Sequence, residues 1–303
     1  MATIEVSAGE IPEGARILRR PSLNPIPSTP DKRAKINVRR AGKYPRVEWG
    51  VLRYPMAAVV GGGPSTSRQL DTLRWWDGDI FAINDTAKYL SDNGISCYLY
   101  AIDGTEVPFR VGDGVRGAIF ATRVHRNQFR QMEKMGLPIL VFDLAEEDKF
   151  KGIEGGPTAV CRTPHLLLRM GYRGVTYFGI DGSFEGDTTH VSGHSDSAHD
   201  NMLIIRAGGV DYVTHGGFML QHDYMARIMK KHSKYLFNAS GGVFGAMLEN
   251  PNDWEVIAVA EDLKQKFDKG GDHTWNKRYE GGYTWQQPEA SSIQAPSRSD
   301  YKA

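Results

Sequence analysis

Asp181, Asp187, His190 and His194 fall in one short stretch, VTYFGIDGSFEGDTTHVSGHS, from Val175 to Ser195. Carboxylates and imidazoles placed so closely can move protons near neutral pH, because imidazole ionises in that range. Asp181 closes an apolar, β-rich run, Val175–Ile180, with the character of a buried parallel strand. Ligands of open α/β sheets bind beyond the carboxyl ends of the strands, so His194, His190 and Asp181 are candidate catalytic residues at such an end. Two other readings exist for the same residues. One is a polar loop with surface histidines, and the other a metal site made of His190, His194 and either Asp187 or His199. The spacing of the two histidines suits a helix face, whereas Gly193 and its small polar neighbours argue for a loop. No metal ligand is assigned.

A second glycine-rich strand end lies earlier. Met56–Val60 reads as a short strand, followed directly by Gly61-Gly62-Gly63-Pro64-Ser65. Gly61 and Gly63 would let the backbone approach a phosphate, and Ser65 would cap a helix starting near Ser67, whose amides favour an anion. The motif is neither the dinucleotide fingerprint nor a P-loop, and a structural tight turn accounts for it equally well. Asp79–Asn84 and Cys97–Ile102 read as further strands, with a helix over Thr86–Asn93 between them. Successive strands therefore end in three glycines, in Asn84-Asp85 and in Asp103, which is the expected rim of a nucleotide pocket. Arg123 and Arg126, after a strand near Ala118–Ala121, are a candidate phosphate clamp, since guanidinium forks match phosphate oxygens.

A polar helix over Arg126–Met135 and a strand over Pro138–Phe142 follow. Gly156 and Thr158, candidate nucleotide contacts, open the helix Ala159–Met170, which should kink at Pro164 and expose Arg162 and His165. Beyond the organising strand, the reading is a helix over His199–Ala207, a strand at Asp211–Thr214 and an amphipathic helix over Met219–His232. A last strand, Tyr235–Asn238, and a closing helix, Asp253–Phe267, complete it. Alternating strands and helices predict an α/β fold: a doubly wound, mostly parallel, Rossmann-like sheet in a single domain over residues 51–267. Residues 1–50 read as a flexible Pro-rich and basic arm, and 268–303 as a polar, aromatic-containing tail.

Composition narrows the class. With 37 Lys+Arg against 36 Asp+Glu among 303 residues, there is no global electrostatic case for nucleic acid. The basic run Lys32–Arg46 leaves a nucleic-acid partner weakly supported. Cys97 and Cys161 sit in apolar surroundings and read as reduced core residues, which points to a cytoplasmic protein. No apolar run is long enough to span a bilayer.

The order of motifs resembles bacterial sialyltransferases that make surface glycans. It is also similar to the related Rossmann-like family of motility accessory factors and archaeal hydroxymethylpterin diphosphokinases. The likeness rests on VVGGGPS (Val59–Ser65), FAINDTAKYLSDNGI leading to YAID (Phe81–Asp103), GYRGVTYFGID (Gly171–Asp181) and THVSGHS (Thr189–Ser195). YLFNASGG (Tyr235–Gly242) adds to the second group. The resemblance implies that Gly61, Gly63, Ser65 and Asn84 hold the nucleotide, that His194 is the general base on the acceptor hydroxyl, and that the centre needs no metal. Gly182, Ser183 and Phe184 stand where the sialyltransferases carry tyrosines, and Glu154-Gly155-Gly156 where they carry an arginine.

The expected activity is therefore nucleotide-dependent transfer by a metal-independent, inverting glycosyltransferase. Its donor is a nucleotide sugar, CMP-linked favoured, and its acceptor an unidentified hydroxyl. The alternatives are an ATP-dependent diphosphokinase, with Mg²⁺ on Asp103, Asp181 and Asp187, or a non-catalytic nucleotide-binding protein.

Overall fold

A computed structural model describes residues 31–50, 56–104, 106, 109–145, 152–156, 158–185, 190–191 and 202–259. Its centre is a seven-stranded sheet made of β1 (Met56–Val60), β2 (Asp79–Ile83), β3 (Cys97–Ala101), β4 (Val115–Ala121), β5 (Ile139–Phe142), β6 (Gly174–Phe178) and β9 (Leu236–Asn238). All neighbours are parallel, in the order β5-β4-β3-β2-β1-β6-β9. The runs are short, apolar and uninterrupted because helices cover both faces, so a strand such as MAAVV needs no polar alternation. Val59, Val60, Phe81, Leu99, Phe120, Val141, Val175 and Tyr177 make the core, and both cysteines are buried and unpaired. The expected doubly wound α/β architecture is present. No described helix is long and apolar enough to cross a membrane.

The chain order reverses once. It proceeds outward from β1 to β5, then returns to place β6 on the other flank of β1. The crevice between β1 and β6 is thus the topological switch point, where ligands of such sheets bind. Parallel connections also bring helix N-termini to the carboxyl face of the sheet. These helices are α2 (Leu70–Arg74), α3 (Thr86–Asp92), α4 (Arg126–Lys134), α5 (Ala159–Met170), α6 (Gly216–Lys231) and α7 (Gly242–Glu249).

Four expectations are corrected. Within the supposed flexible arm, Asp31–Ala41 is a helix, α1, with Asn37 and Ala41 buried, and Val47 is buried just beyond it. Asn37 donates to the carbonyl of Arg123 at 3.0 Å, and residues 45–47 pair with Val141 on the outer edge of β5. This segment covers an edge that would otherwise be open to pairing with another chain. The helix expected over His199–Ala207 is instead β7 (Met202–Ala207), joined to β8 (Val210–His215) by Gly208-Gly209. Both glycines have positive φ, 57° and 78°, as a two-residue hairpin turn requires.

The supposed closing helix begins as β10 (Trp254–Val259), antiparallel to β7, which completes a three-stranded sheet β10-β7-β8. β-branched residues at Ile204, Ile205, Val210, Val213, Val256 and Ile257 explain both reassignments. Finally, Arg162 is buried rather than exposed, and it donates to the carbonyl of Ile153 at 3.0 Å. His165 is half-buried, with Nε2 3.2 Å from the hydroxyl of Tyr224.

Candidate functional site at the switch point

The turns after β1 and β6 lie against each other, and that contact explains the glycines. Gly61 N donates to Phe178 O at 2.8 Å and Gly63 N to Gly179 O at 2.7 Å. A Cβ on Gly61 would stand 2.5 Å from Gly179 O, and one on Gly63 2.7 Å from an Asp181 carboxylate oxygen. Gly61 and Gly63, expected to touch a nucleotide, are therefore needed first for backbone packing between the two turns. Gly179 completes the contact at φ 60°, where a side chain would also run into the hydroxyl of Thr66. Gly179→Ala should cost about 2–4 kcal/mol, combining the left-handed penalty with overpacking. Thermal unfolding should show this as a drop in Tm of about 5–15 °C.

Asp181 ties the turns together. One carboxylate oxygen accepts from Ser65 N at 2.6 Å, and the other from Ser65 Oγ at 2.5 Å and Gly241 N at 3.1 Å. The helical turn Pro64–Gln69 is a 3-10 turn, and Ser65 does not cap it: its N-cap is Gly63, with no side-chain bond. The anion expected at that N-terminus is supplied by the protein itself. Burial pushes the Asp181 carboxyl above the ordinary carboxylate range, while Ser65, Arg68 and Gly241 pull it partly back. So held, Asp181 positions the turns.

Among the described residues, the imidazole at the site is His190. A Cβ on Gly62 would lie 2.8 Å from its Cδ2 and 3.1 Å from Thr86 Oγ1, so the ring covers the middle glycine beside the start of α3. Val191 N donates to Gly62 O at 2.8 Å and anchors that end of the loop on the turn. Asp187 and His194 lie outside the described residues.

One strand further on, Asn84 directly follows β2 at φ 51°, the only positive φ of a non-glycine among the described residues. Such a conformation is uncommon and clusters at functional positions. Its Nδ2 donates to Asp103 Oδ2 at 3.2 Å, whereas its buried Oδ1 has no partner among the described residues. Asp103 is driven upward in pKa by burial, partly offset by Asn84 and by the Arg123 charge. Arg123 thus faces Asp103, while Arg126 lies exposed further out on α4.

Gly156 and Thr158 serve packing. Gly156 lies under the ring of Tyr224, where a Cβ would be 2.6 Å from Cγ, and Thr158 Oγ1 donates to Gln221 Oε1 at 2.7 Å. Both contacts run to α6.

Several groups here went unrecognised in the sequence. His215 caps α6, its Nδ1 accepting from Gly217 N and Phe218 N at 3.1 and 3.3 Å. His222 is buried against Gly182 and Phe244, and chiefly that burial drives its pKa down to about 3, so it stays neutral. Ser183 Oγ accepts from Val243 N at 3.2 Å, and Ser240 Oγ accepts from Ile180 N at 3.0 Å. A strand ending in His before Gly-Gly was the available signal for the α6 cap; His222 had none.

Compared with family models, curated proteins and solved structures, the chain matches none of them.

Proposed function

We propose that the protein is a nucleotide-dependent transferase, acting as an inverting glycosyltransferase on a nucleotide-sugar donor, with a histidine of the Thr189–Ser195 segment as general base. One observation carries the reading. At the switch point, the His190 ring covers Gly62, and one strand away Asn84 is held at φ 51° with a buried acceptor lacking a partner among the described residues. The amide oxygen suits a donor of the base or sugar of a nucleotide, and the imidazole suits proton removal near working pH. The acceptor hydroxyl attacks the anomeric carbon and its proton passes to the imidazole. The bond from that carbon to the nucleotide phosphate oxygen breaks.

His190 is the base favoured here, and His194 the one that the motif likeness favours. The engagement of Asp181 by three donors reduces the carboxylates that the diphosphoryl alternative would offer to Mg²⁺.

The test is thermal unfolding against CMP, CDP, UDP, GDP and ATP, each with and without Mg²⁺. Ligand at 100 times Kd stabilises by about 2.7 kcal/mol. At about 2–4 °C per kcal/mol, this is a readable rise in Tm. A sugar-carrier nucleotide should give it without metal, and Asn84→Ala should remove it. Stabilisation by ATP only, and only with Mg²⁺, replaces the reading by diphosphoryl transfer; no response to any nucleotide overturns both.

A further inference from the structure

A second concave surface lies on the other flank of the molecule, between α1 and α4. It is a cleft of about 330 Å³, at the low end of the range for small-ligand sites. Arg40 and Lys43 line the α1 side, and Arg126 and Arg130 the α4 side. Arg126 and Arg130 are four residues apart on one helix, so they share a face. The N-terminus of α4, capped by His125, adds the positive end of the helix dipole close to Arg126.

One carboxylate, Glu133, faces these cations. Its Oε1 already accepts from Lys43 Nζ and Tyr44 OH, each at 2.8 Å. The Arg130 charge also acts on Glu133, while the side chains of Arg40, Arg126 and Arg130 make no hydrogen bond or ion pair among the described residues. Guanidinium groups converging from two elements onto one hollow form the arrangement that recognises phosphate by forked hydrogen bonds.

The aromatic floor decides which part of a ligand is read. Tyr44 stacks on Phe129 with centroids 4.6 Å apart, and Lys43 Nζ lies 4.7 Å from the Tyr44 centroid. Tyr44 thus already has Phe129 and Lys43 as ring partners, so the stacking on which single-strand binders rely is not the feature that marks this cleft. What remains is charge and fork geometry.

We infer that the α1–α4 cleft is a binding site for a phosphate group, borne by a small phosphorylated molecule or by a nucleic-acid backbone. It is a site separate from the switch point. Three strand spacings, about 14 Å, separate β4 from β1 across the sheet. The inference stands on the cleft alone and does not depend on the transferase reading.

The experiment is calorimetric titration of the full chain with pyrophosphate, and separately with a ten-nucleotide single-stranded DNA, at low and moderate NaCl. It is repeated on the double variant Arg126→Gln/Arg130→Gln, whose replaced residues are exposed, so its Tm without ligand should equal that of the parent. Binding should weaken with salt, and about 10-fold or more for each guanidinium removed. Pyrophosphate as the ligand that loses affinity identifies a small phosphorylated molecule as the source, and DNA alone identifies a backbone. Absence of binding by both, or binding that the double variant retains in full, overturns the site. Nucleotide stabilisation through Asn84 is read separately, so failure of one site leaves the other standing.

Discussion

His190→Ala is expected to lower transferase turnover ~10²–10⁴-fold, the usual contribution of a positioned general base, while Tm stays within a few degrees of the parent. The stability half follows from the site: His190 is half-buried, and the bond that anchors its segment runs from Val191 N to Gly62 O and survives the substitution. Gly62→Ala should reproduce part of the loss without removing the imidazole. The new methyl would stand 2.8 Å from the His190 Cδ2 and must displace the ring by a few tenths of an ångström or more. Misplacement on that scale is enough to slow a reaction that depends on alignment. The pH profile separates roles: an imidazole base gives kcat/KM an acidic limb, and the variant should lose it. If His194→Ala abolishes the limb while His190→Ala leaves it, the base is His194 and His190 only positions the loop. If neither changes turnover, proton transfer by this segment is wrong.

Asp181→Ala is expected to destabilise the protein by about 3 kcal/mol, because Ser65 N, Ser65 Oγ and Gly241 N lose their buried acceptor together. The corresponding fall in Tm is about 6–12 °C. Asp181→Asn keeps one acceptor but turns an NH₂ toward donors, so an intermediate loss of about 1–2 kcal/mol should follow. The pH dependence has a definite sign. Burial raises the folded pKa of Asp181 above its unfolded value, so the native state takes up its proton first. The ionised group is a cost at higher pH, recovered as pH falls through the folded pKa toward the ordinary carboxylate range. Asp103, raised by the same cause, adds in the same direction. Asp181→Asn should flatten the Asp181 part of this slope. Urea unfolding between pH 4 and 7 measures it, and an unchanged slope would show that the carboxyl is not raised.

The strands of the parallel sheet were legible because each is a short apolar run closed by a glycine or a polar residue. Met56–Val60 has the bounds expected for it, and the strands ending at Ile83, Ala101 and Phe142 differ by a residue or so. Period-2 alternation was not needed, since both sheet faces are covered. Local pattern failed where partners come from far along the chain. β7 and β10 lie far apart in the chain and pair across the intervening α6 and α7, so neither run declared its register on its own. The basic segment of α1 carries too few apolar residues to announce a helix; it is held by Asn37 on Arg123 and by Pro45 and Val47 on Val141.

The sequence by itself determined the fold class and the strand ends at which chemistry would collect: Gly61–Ser65, Asn84, Asp103 and Asp181. Only the tertiary structure decided what each does there. Gly61 and Gly63 admit the β6 turn, Asp181 locks it, and Arg162, Gly156 and Thr158 face protein neighbours. Gly62 with His190 is left at the switch point, and Asn84 with Asp103 beside it at the ends of β2 and β3. A residue type states which bonds a side chain can make. Which partner meets it first depends on strand order, and strand order follows from contacts across the whole chain.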